Sequence, residues 1–95
     1  MIQNIRNEQT ELLARALTAV KTVDEAYKFL DDICTQAEVK EMTKRLLAAI
    51  MLRDGITYTE IADKTGLSTA TITRVNRALR NGSDGYAIVL ERIGR

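Results

Sequence analysis

The chain has 95 residues, 14 basic and 13 acidic side chains, no histidine and a formal net charge of +1. That length sets one domain, too small to bury a large core alone, and the charge balance excludes a protein that gathers polyanions by bulk attraction. Without proline or tryptophan, with a single cysteine and no bilayer-length apolar run or signal-peptide pattern, the composition argues for long helices in a reducing cytoplasm.

From about Ile5 to Lys21, the apolar residues Leu12, Leu13, Ala16, Leu17 and Val20 recur at helical spacing. Thr22, with Glu25 three residues on, has the capping-box pattern and opens a second helix that carries Val23, Ala26, Tyr27, Leu30 and Ile33 on one side. Thr35 and Glu38 repeat the pattern for a third helix, which runs to about Asp54 and stops at Gly55. Its stretch 46–52 is apolar nearly all round, so it must be enclosed by neighbours. Some of those neighbours are expected to come from a second copy of the chain. The alternative is that the first and last helices wrap it within one chain.

Residues 57–80 predict two short helices joined by a tight glycine turn. Thr57 caps the first, with Glu60 as box partner, and Ser68 caps the second, which runs to about Arg80. Ala62 sits where the helices pack closely, and Gly66 where a Cβ would be costly. Ile61, Leu67, Ile72 and Val75 supply an apolar wedge, while Ser68, Thr69, Ala70, Thr73, Arg74 and Arg77 face outward. Small hydroxyl residues and arginines without an acid suit a helix laid into the major groove of DNA. Residues 81–85 form a break. A final short helix carries Tyr86, Ile88, Val89, Leu90 and Ile93.

The stretch from Thr35 to Leu79, with Ala70-Thr71-Ile72-Thr73-Arg74 as its most distinctive part and Arg45 in the long helix, resembles the Trp repressor superfamily. Within it, the chain looks most like the YerC/YecD type of Trp repressor-related protein. The resemblance covers about half the chain strongly and the flanking helices by order and length. It implies an all-α, six-helix protomer, a single domain over residues 1–95 with its helix-turn-helix at about 57–81, and an intertwined homodimer.

The resemblance also implies a possible effector pocket. Arg45 and Arg74 match two arginines that flank the amino acid in the family's tryptophan-binding member, and Thr71 matches a threonine of that site. Val75 replaces the glycine that leaves room beside the indole, and Ala78 replaces a serine that helps hold the ligand's amino group. A valine obstructs a flat ring in a tight site, so tryptophan is not expected to bind. A different small effector is a further reading. Surface ion pairing of the two arginines, for example with Glu41 or Asp63, is the plainer one.

Thr69, Ala70 and Thr73 are the expected base-edge contacts, since their short side chains bring the backbone near and a threonine methyl can meet a thymine methyl. Ser68 is expected to present its hydroxyl and neighbouring amides to a phosphate while capping the helix. Arg74 and Arg77 suit guanine or phosphate. For Arg77 and Arg80, a solvated surface role stands level with phosphate contact. Thr57, Tyr58 and Thr59 are expected phosphate contacts, although Tyr58 could equally pack on its own subunit. Cys34 reads as a small apolar residue at a helix end. No catalytic, metal or cofactor site is expected, and no enzyme. The sequence thus predicts a cytoplasmic, homodimeric DNA-binding regulator of double-stranded operators, most simply a repressor. The alternatives are a dimeric protein-interaction module and an effector-gated repressor.

Overall fold

The structure, a computed structural model, describes residues 5–95. Six helices follow one another: α1 Glu8–Ala19, α2 Val23–Ile33, α3 Gln36–Arg53, α4 Tyr58–Thr65, α5 Thr69–Asn81 and α6 Gly85–Arg92. No strand occurs among the described residues.

Local hydrogen bonding sets each helix start. The Asn7 side chain accepts from the amides of Gln9 and Thr10, and Thr10 Oγ1 accepts the Asn7 amide, each at 2.9 Å. This reciprocal cap starts α1 three residues later than apolar spacing alone suggested. At α2, Thr22 Oγ1 accepts the Glu25 amide, but the Glu25 carboxylate takes the Lys21 amide at 2.9 Å rather than that of Thr22. At α3 the box closes in full: Glu38 N–H donates to Thr35 Oγ1 at 3.1 Å and Thr35 N–H to Glu38 Oε1 at 2.8 Å. The Thr35 amide first, and the Thr35 hydroxyl beside the carboxylate second, hold the Glu38 carboxyl below its ordinary pKa.

The chain divides into two compact units, one ending at Val39 and the other spanning Lys40–Arg95. In the first, α1 and α2 bury no residue completely. Leu12, Val23 and Tyr27 remain 70%, 76% and 71% exposed.

The second unit holds the core. Ala48, Ala49 and Leu52 of α3 pack with Ile61, Leu67, Ile72, Val75 and Leu90, flanked by half-buried Ile50, Met51, Ile56, Tyr58, Leu79 and Tyr86. Burying each leucine, isoleucine or valine of this set contributes about 1.5–3 kcal/mol before the entropy of ordering is charged against it. The apolar end of α3 is only partly enclosed, because Leu47 stays 47% exposed. Asp84 starts α6 from the left-handed region, with φ of 66°.

Candidate nucleic-acid interface

Helix α4 begins at Thr57, whose Oγ1 accepts the Glu60 amide at 3.3 Å. Tyr58 is half-buried and packs against the core of its own chain. Thr57 and Thr59 are exposed. Ile61 is fully buried and faces the wedge.

The turn between α4 and α5 is built by two residues. Gly66 adopts φ of 75°, and its N–H donates to the Ala62 carbonyl at 2.8 Å, closing α4 with a left-handed cap. Thr65, 7% exposed, donates from Oγ1 to the Ile61 carbonyl at 2.7 Å and accepts the Leu67 amide at 3.2 Å. A buried hydroxyl therefore satisfies backbone groups on both sides of the bend.

Helix α5 sorts its residues by face. Ile72 and Val75 are buried, and Leu79 is half-buried. Thr69, Ala70, Thr73, Arg74, Arg77 and Ala78 are exposed, and no acid occurs between Asp63 and Asp84. All four expected wedge residues are buried. The outward surface is short, hydroxyl-bearing and basic.

Several side chains differ in detail from the sequence expectation. Ser68 Oγ accepts the Thr71 amide and donates to Thr71 Oγ1, each at 3.1 Å. Its proton is thus spent locally, and the pair's remaining hydroxyl donor is on half-buried Thr71. Thr73 Oγ1 donates to the Thr69 carbonyl at 2.8 Å. Arg80 donates through Nε to Asn76 Oδ1 at 3.2 Å and through Nη2 to the Leu52 carbonyl at 3.4 Å. It links α5 to the end of α3, a role that helical spacing does not reveal.

Of the residues matched to an effector pocket, Arg45, Arg74 and Ala78 are exposed, Thr71 is half-buried, and Val75 is committed to the core. Arg45 lies near Tyr86: burial pushes the Tyr86 phenol up in pKa, and the Arg45 charge partly opposes this. The ion pairs among the described residues are Glu11–Arg15 and Asp24–Lys28, and neither includes Arg45 or Arg74. Among the described residues no helix is long and apolar enough to cross a membrane.

Comparison with known proteins agrees with this architecture. Residues 8–94 match the sequence model of the Trp repressor protein family. The chain is 41% identical over 92 residues to the uncharacterised protein YerC of Bacillus subtilis (strain 168), covering 97% of this chain and 88% of YerC. It superposes on a TrpR-like protein from Eubacterium eligens ATCC 27750 with a TM-score of 0.88 and 47% identity, over 97% of this chain and 95% of the other. A candidate Trp repressor from Staphylococcus aureus gives a TM-score of 0.89 at 38% identity, over 98% of this chain and 93% of that one.

Proposed function

The chain belongs to the Trp repressor family, and on that footing we propose that it is a cytoplasmic, homodimeric, sequence-specific DNA-binding regulator that acts as a repressor. The observation that carries this reading is the sorting of α5: Ile72 and Val75 anchor it, while Thr69, Ala70, Thr73, Arg74 and Arg77 stand outward with no acid among them. Such a helix enters a major groove with its N-terminal half toward the bases. Thr57, Thr59 and the α5 N-terminus beside Ser68 flank it with groups suited to phosphate.

The dimer reading is supported by apolar residues left in water. Leu12, Leu13, Leu17, Val23 and Tyr27 of α1 and α2, Leu47 of α3, and Ile88 and Val89 of α6 are all exposed in the single chain. Exposed apolar side chains in this number favour a partner surface of the same kind, and a second copy is the occupant that the family likeness favours. Two heads one helical turn apart make the operator roughly palindromic.

Selection of bound duplexes from a random pool, followed by titration at two salt concentrations, tests the reading. A recovered inverted repeat with strongly salt-dependent affinity is the expected result. Negligible duplex affinity even at low ionic strength would instead favour a dimeric module whose heads hold a protein partner.

A further inference from the structure

We infer that the head reads the 5-methyl group of a thymine through the Cγ2 methyl of Thr73. The inference rests on the DNA-binding reading and deepens it.

Thr73 is exposed on the outward face of α5. Its Oγ1 lies 2.8 Å from the Thr69 carbonyl oxygen. A carbonyl oxygen only accepts, so the hydroxyl proton is directed into the helix's own backbone. Thr73 therefore has no hydrogen to offer the acceptors that guanine and thymine present in the major groove. The other heavy substituent on its Cβ is the methyl, and the bond from Oγ1 to the i−4 carbonyl decides which of the two is left free. Ala70, three residues earlier and also exposed, adds a second methyl on the same helical face. In the major groove, the apolar partner for such a surface is the methyl group of thymine. The arginines that frame it, Arg74 and Arg77, supply charge and donors, which leaves discrimination at this point to shape and methyl contact.

The test begins with the half-site recovered by selection on the wild-type protein. Each thymine is replaced singly by uracil, which removes the 5-methyl and keeps every hydrogen-bonding group. Wild type should lose about four-fold in affinity at one thymine, the effect of uncovering one buried methyl group. Thr73→Val, which keeps the methyl and drops the hydroxyl, should bind as wild type does and retain that sensitivity. Thr73→Ser, which keeps the hydroxyl and drops the methyl, should bind the thymine and uracil duplexes alike. Circular dichroism melts verify that both variants fold, as an exposed site allows. The inference is overturned if no thymine is sensitive to uracil replacement, if Thr73→Ser preserves the discrimination, or if Thr73→Val abolishes it. A wild-type protein that binds no duplex at low salt would defeat the DNA-binding reading itself, a result distinct from binding without methyl sensitivity.

Discussion

The Arg80 guanidinium donates to the main-chain carbonyl of Leu52, 28 residues earlier, at 3.4 Å. That carbonyl lies in the last turn of α3, where it also accepts the Gly55 amide at 3.1 Å. A cation there meets the negative end of the helix dipole. Arg80→Ala should therefore lower stability by about 0.5–1 kcal/mol, a value kept small because the side chain is exposed. Urea unfolding at fixed chain concentration measures it, and an unchanged midpoint would remove the tie between α5 and α3. Lysine should restore part of the loss, since it keeps the charge but not the fork that also reaches Asn76.

Arg77 offers the contrast. It is exposed, and no hydrogen bond or ion pair of its side chain occurs among the described residues. Arg77→Ala should leave the unfolding midpoint in place while weakening binding to all duplexes alike and reducing the salt slope by about 1 per head. Equal affinity of the two proteins at low salt would contradict a phosphate role.

Two glycines separate backbone cost from steric cost. At Gly66 an added Cβ meets nothing within 4 Å, but φ is +75°. Gly66→Ala should cost about 1–2 kcal/mol, the penalty of a left-handed residue alone. At Gly82 an added Cβ would overlap the Ala78 carbonyl, so the last turn of α5 must shift. Gly82→Ala is expected to be the more damaging change, and comparing the two urea midpoints decides the order.

The Glu38 carboxyl provides an acid-range signature. Its pKa is lowered in the folded chain by the Thr35 backbone and hydroxyl contacts. A lowered folded pKa means stability that is present above the unfolded value and lost as pH falls through the folded one. The start of α3 should thus fray below the ordinary glutamate range, and Glu38→Gln should flatten that part of the acid-unfolding profile. Carboxyl chemical shifts followed by NMR would show the lowered midpoint directly.

Tryptophan is a decisive ligand to try. Val75 is 4% exposed and packed in the core. A branched side chain fixed there leaves no reason for an indole to displace it. Calorimetry should register no tryptophan binding at millimolar concentration, about 4 kcal/mol of affinity or less. Measurable uptake would mean that α5 shifts away from its neighbours to admit a ring.

Much of this organisation was legible in the residues. Thr22, Thr35, Thr57 and Ser68 each cap the helix that they announce, because a hydroxyl followed by a free amide three residues on is a local signal. Ile61, Leu67, Ile72 and Val75 are buried as their spacing requires. Asn7 escaped notice because its box closes through Thr10, not a glutamate or glutamine. Asp84 did as well, since an aspartate at positive φ is not the usual herald of a helix. The hydroxyl directions of Ser68 and Thr73 depend on rotamers, and the reach of Arg80 depends on tertiary proximity. Neither is encoded in periodicity, so the outline of the interface was readable while its donor inventory was not.

Thr65 limits how far this bend can vary. Valine would preserve its outline and strand the Leu67 amide in an apolar surrounding, whereas serine would preserve the bonding and open a methyl-sized hole. Few spellings satisfy both demands. The outward letters of α5 are under no such double constraint, so a lineage built on this fork could change what it grips many times over while its joint stays nearly fixed.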